Sequence, residues 1–157
     1  NIVIKSLINL EQIMKCLIFL FSLLSLNIYA KDYIFKAYGF SNLETIKVSE
    51  EYKFSTYTSE GMWDDSNGDY GNENCFGYVK QINNNVDLEV YCETINQNDE
   101  MFWTSRIRKS DKGGGVGKLT ILNGTGKYKT LIGLECPYGV TYKNKYAWLR
   151  AKCNLNE

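Results

Sequence analysis

Histidine is missing from all 157 residues. Its absence excludes the usual general base, the Ser-His and Cys-His nucleophile pairs, imidazole zinc sites and a proximal haem ligand. Chemistry here has to rest on carboxylates, tyrosines, lysines or arginines. Proline occurs once, at Pro137, so no proline-rich linker divides the chain. Net charge is also lacking, with 18 basic and 18 acidic residues. A neutral balance offers no field for nucleic acid and no polybasic stripe for anionic lipid. Long apolar runs are absent except near the start, where residues 16–26 are interrupted only by Ser22 and Ser25. That run falls short of the roughly 20 apolar residues a membrane span needs.

The run follows Lys15 and is followed by Ala30 and the charged Lys31, which is the pattern of a secretory leader cleaved after Ala30. Met14 is the expected start, and residues 1–13 read as translated upstream sequence. Residues 31–157 are then one mature domain, with a single core and no membrane insertion. Loss of Lys5, Lys15 and Glu11 with the leader leaves 16 basic and 17 acidic residues, still near neutral. The expected location is periplasmic or extracellular.

Four cysteines remain after cleavage, Cys75, Cys92, Cys136 and Cys153, and the absence of a CxxC pair argues against redox or zinc chemistry. Their spacing is informative, because 17 positions separate both Cys75 from Cys92 and Cys136 from Cys153. The midpoint of the first pair falls in Asn83-Asn84-Asn85 and that of the second between Asn144 and Lys145. Both midpoints are polar turns between β-branched and aromatic flanks. Each pair therefore faces across a hairpin, and directly opposed residues in a non-hydrogen-bonded antiparallel pair lie about 4.5 Å apart at Cα, within disulfide reach. The expected bridges are Cys75–Cys92 and Cys136–Cys153, with a structural role.

These registers assign faces. Gly77, Val79, Leu88 and Val90 join the first bridge on the core side, and Tyr138, Val140, Tyr142, Ala147, Leu149 and Ala151 join the second. Tyr78, Lys80, Glu89, Glu93, Arg150 and Lys152 face water. Further strands are expected at 33–39, 51–59, 101–109 and 116–122, each bounded by Asn, Asp, Gly or Ser. The total is eight consecutive antiparallel strands and no convincing helix, with one short turn in "TGKYKTLIG". The expected fold is all-β, an eight-stranded up-and-down barrel of calycin-like or allene-oxide-cyclase-like form that leaves no exposed edge. A β-sandwich is the alternative.

Glycines 113, 114, 115 and 117 precede Lys118, but a phosphate loop needs glycine where Lys112 stands and a hydroxyl where Leu119 stands. The dinucleotide fingerprint fails as well, since Lys118 occupies its third glycine position. A turn between strands is the better assignment, with Lys118, Lys127 and Lys129 as solvated side chains and Gly124 and Gly126 in turn conformations. Further along, "NGTGKYKTLIG" ahead of a strand resembles the "GGTGxF" signature near the C-terminal end of dirigent and allene-oxide-cyclase-like barrels. The likeness covers residues 123–138, with Asn123 in place of the first glycine. It implies the barrel fold, whose members are exported or organellar; the acidic and basic pocket residues that guide substrates in that family have no recognisable counterpart here, so activity does not follow.

The stretch 60–77 is polar and reads as a hairpin or Ω-type loop. Asp65, Asn67 and Asp69 alternate as in a calcium loop, but Tyr70 replaces the obligatory glycine and Phe76 the bidentate glutamate. No metal or cofactor is expected. Trp63 and Tyr70 are the candidate ligand-binding residues, as aromatic surfaces for a small apolar or aromatic ligand or another protein. Plugging one barrel end is the favoured role for Trp63 and Tyr70, and stacking on a ligand is the functional one. Asn123-Gly124-Thr125 is a glycosylation sequon with meaning only in a eukaryotic secretory pathway. The functional expectation is a small exported binding module; the alternative is a cyclase- or isomerase-like enzyme acting on an apolar ligand in the barrel.

Overall fold

The computed structural model describes residues 32–111 and 113–155. The leader, its cleavage point and the expected mature start at Lys31 lie outside the described residues. Eight strands follow in order: β1 (Asp32–Lys47), β2 (Tyr52–Asp65), β3 (Tyr70–Ile82), β4 (Asn85–Asn96), β5 (Met101–Ser110), β6 (Gly115–Gly124), β7 (Glu135–Lys143) and β8 (Tyr146–Asn154). Each pairs antiparallel with its neighbour in sequence, and β1 pairs with β8 to close the barrel. A sandwich is thereby excluded.

Both disulfides form as the spacing requires, with Cα separations of 4.1 Å for Cys75–Cys92 and 4.4 Å for Cys136–Cys153. The first hairpin also places Gly77 opposite Val90 and Val79 opposite Leu88, and the second Tyr138 opposite Ala151 and Val140 opposite Leu149. Alternation then decides burial along each strand. In β1, Tyr33, Phe35 and Ala37 are buried while Tyr38 and Phe40 face out.

The first two strands run further than expected. β1 continues to Lys47 and β2 to Asp65, so the polar stretch 60–77 is mostly strand, with β2 passing into β3 through a tight turn in which Asp64 pairs with Tyr70. Asp65 makes this turn from within: its Oδ1 accepts the backbone N–H groups of Asn67 at 2.8 Å and Asp69 at 2.9 Å. A side chain that satisfies local donors in this way is an Asx turn. Its carboxylate thus holds backbone where a calcium loop would hold the ion.

One barrel end is closed by aromatic packing. The Trp63 ring lies 5.6 Å from Phe35 and 5.3 Å from Phe102, and Phe102 lies 4.7 Å from Tyr128. All four are buried, and burial of side chains this size contributes about 2–3 kcal/mol each. Tyr128 comes from a 3-10 turn, η1 (Gly126–Leu131), between β6 and β7. This is the short turn expected in "TGKYKTLIG".

Two expectations for this segment need correction. Gly126 has φ of +50°, as a turn glycine should, but Gly124 ends β6 without positive φ. Gly124 is needed for space, since a Cβ there would meet Tyr128 atoms at 2.7–2.8 Å. Lys118 is a surface residue paired with Glu135 at 2.7 Å, but Lys127 is not merely solvated. Its ammonium lies 2.6 Å from the buried carboxylate of Asp69.

Candidate functional site

The opposite barrel end is open. The strand ends and turns here surround a cavity of about 450 Å3, whose walls include Leu43, Tyr57, Val79, Val86, Leu88 and Tyr142. This volume lies within the range of small-ligand pockets. Tyr57, Leu88 and Tyr142 also line a deeper chamber of about 30 Å3, enough for roughly one water molecule. The barrel is plugged at one end and hollow at the other.

Polar groups concentrate where the cavity narrows. Glu73 on β3 reaches across β4 to Arg106 on β5, which donates Nη1 to Oε1 at 3.0 Å and Nη2 to Oε2. The side chains of the pair are 8% and 7% exposed, for Arg106 and Glu73 respectively, and both line the deeper chamber. Arg108, two residues further along β5, lines the outer cavity and donates Nη1 to Ser110 Oγ at 2.5 Å and to the Gly114 carbonyl at 2.9 Å. The glycine turn between β5 and β6 therefore positions an arginine rather than a phosphate.

The tyrosines record this environment. Burial raises the Tyr138 hydroxyl to about 12, against the opposing pull of Arg108 and Arg106. Burial likewise raises Tyr57, with Tyr142 adding to the rise and Ser59 and Arg106 opposing it. Both hydroxyls remain protonated donors at neutral pH.

At the closed end Asp69 is engaged by Lys127, by Gln97 Nε2 at 2.9 Å and by the Tyr128 hydroxyl at 3.2 Å. Burial pushes the carboxyl up, but these hydrogen bonds and the Lys127 charge outweigh it and hold Asp69 below the ordinary carboxylate range. Its oxygens serve the plug.

Neither candidate aromatic lines the cavity. Trp63 sits in the plug, 2% exposed, with Nε1 donating to the Ile95 carbonyl at 3.0 Å. Tyr70 begins β3 on the outer surface. The structure does not bring the two together at an opening. Glu73, Arg106 and Arg108, by contrast, are charged interior groups that the sequence reading did not single out. One signal was available: Glu73 is two residues before Cys75 and shares its inward face.

Among the described residues, Glu73, Cys75 and Cys92 form a group close enough to suggest metal ligands. Its two sulfurs are bonded to each other, and both Glu73 oxygens accept from Arg106. That donor set does not fit a cation.

No family profile and no curated protein matches the chain. Two solved structures are similar to it in fold, both at a TM-score of 0.62. An enzyme from Penicillium herquei is 8% identical over 78% of this chain and 93% of its own. A conserved protein of unknown function from Rhodopseudomonas palustris is 10% identical over 78% of this chain and 96% of its own. At such identities the likeness extends to the barrel architecture alone.

Proposed function

We propose that this chain is an exported barrel that binds one small apolar or aromatic molecule through its open end. The observation that carries this reading is the cavity of about 450 Å3, apolar on its walls and polar at its base. Two disulfides suit an oxidising compartment. Among the described residues no helix is long and apolar enough to cross a membrane. The resemblance around residues 123–138 to dirigent and allene-oxide-cyclase-like barrels, whose members are exported or organellar, is consistent with this reading of the barrel.

The test is titration with the neutral dye N-phenyl-1-naphthylamine, whose fluorescence rises in an apolar site. Saturable binding at one site per chain, abolished by filling the cavity with Val86→Trp, is expected. Absence of binding, or binding indifferent to Val86→Trp, overturns the proposal.

A catalytic reading has one observation in its favour, the Glu73–Arg106 pair beside the tyrosine hydroxyls of the chamber. These groups suit proton transfer or polarisation in a cyclisation or isomerisation. Both carboxylate oxygens already accept from the guanidinium, however, so a substrate would first have to displace that contact. Binding is therefore the reading the geometry supports better. Mass spectrometry of a ligand recovered unchanged after incubation favours binding, and an isomer of it favours catalysis.

A further inference from the structure

The outer cavity is asymmetric in charge. Arg108 and Lys145 belong to its lining, and among the described residues no carboxylate does. The acids next to lining residues along the chain, Glu44, Asp87 and Glu89, are outside the lining: Asp87 and Glu89 alternate with the inward Val86 and Leu88 on β4, where Asp87 stands opposite Lys109 in the ladder, and Glu44 is exposed. Glu73 lies deeper, with both oxygens committed to Arg106. Other polar groups at the cavity are amides and hydroxyls, such as Gln81, Asn42 and Tyr142.

Resting on the binding function above, we infer that the preferred ligand is a small aromatic anion, a planar apolar body bearing one carboxylate. The carboxylate faces the Arg108 guanidinium where the cavity narrows, and the ring system lies among Tyr57, Tyr142, Leu88 and Val86. A guanidinium matches a carboxylate in planar geometry, and a charge-assisted hydrogen bond in a site partly shielded from water is stronger than a neutral one. Arg108 is already steered by Ser110 and the Gly114 carbonyl, so little side-chain freedom is lost when an anion arrives. Lys145, with its ammonium 5.5 Å from the Phe40 ring, stands at the rim and adds attraction for an incoming anion. An aromatic cation would meet its own sign of charge at both positions.

The test is a matched series that shares one ring system: 1-naphthoate, 1-naphthylmethanol and 1-naphthylmethylammonium, titrated by calorimetry at pH 7.5. Naphthoate is expected to bind about tenfold or more tightly than the alcohol, and the ammonium compound most weakly. Raising salt should weaken naphthoate binding and leave the alcohol unchanged. Arg108→Gln should remove the preference for naphthoate while the alcohol still binds, and Arg108→Lys should restore part of it. Because Arg108 is buried, the salt series on the unaltered protein stands as an independent measurement. Equal affinity for naphthoate and alcohol refutes the anion preference and leaves the binding function intact. A best-binding ammonium compound refutes it too. Failure of all three compounds, together with the naphthylamine dye, refutes both.

Discussion

Glu73 and Arg106 give the sharpest test of how the barrel interior is balanced. The pair is bidentate and almost fully buried, so Glu73→Gln leaves a guanidinium inside the barrel without its counter-charge. Breaking such a pair from one side costs about 3–5 kcal/mol, because the remaining charge has lost its partner and cannot regain water. Arg106→Met strands the carboxylate and should cost a similar amount. The double variant Glu73→Leu with Arg106→Met removes both charges, and buried pairs replaced by apolar side chains are often neutral or stabilising. It should therefore lie within about 1 kcal/mol of the unaltered protein or above it. Urea unfolding, with the disulfides intact and tryptophan fluorescence as the signal, measures all four states. For a slope near 2 kcal/mol/M, each single variant should move the midpoint down by about 2 M. The double variant should recover it. Single variants costing under about 1 kcal/mol, or a double variant costing their sum, would refute the assignment of a coupled buried pair.

The disulfides should act independently of ligand: Cys75→Ser with Cys92→Ser, or the corresponding change at Cys136 and Cys153, should each cost about 3 kcal/mol in urea unfolding, as expected for closed loops of this length. Gly126→Val should destabilise strongly in thermal unfolding, since the position has φ of +50° and its Cβ would meet the Glu100 carboxylate, whereas Lys118→Ala should stay within about 0.5 kcal/mol. Asp69 supplies a pH dependence. Its folded-state pKa is depressed, so its stabilisation is present above the unfolded value of about 3.9 and is lost as pH falls through the lower folded value. Urea unfolding between pH 6 and 2 should therefore show a steeper loss for the unaltered protein than for Asp69→Asn; identical profiles would exclude this contribution.

Much of the architecture was legible in the cysteines. An equal spacing around two polar turns fixed two hairpin registers, and each register fixed which side chains enter the core. The interior charges were hidden by the same alternation. In β5 the inward residues are Phe102, Thr104, Arg106 and Arg108, while Met101, Trp103 and Ile107 face outward. The outward face is at least as apolar as the inward one, so hydrophobic pattern alone could not orient the strand. A register shift between Trp103 and Thr104 disturbs its pairing with β6 as well. The aromatic plug was masked differently. Trp63 sits among Gly61, Asp65 and Asp69, a composition that suggests a loop, and only the bonds made by Asp65 and Asp69 explain why such residues are buried. The polar lining of the open end depends on residues from five strands and two turns, a convergence that sequence spacing does not reveal.

Barrel closure has a consequence for the order of assembly. Seven of the eight strand pairings join neighbours in sequence, but β1 to β8 joins Tyr33 with Cys153, across nearly the whole folded length. During synthesis the hairpins can form and be cross-linked one after another, while β1 keeps an unsatisfied edge until the last strand emerges. The same seam leaves Asp32 beside Asn154 in the ladder. A short linker between them, with new ends opened at the β3–β4 turn, would turn this slowest long-range pairing into a local hairpin and move the late seam elsewhere around the barrel.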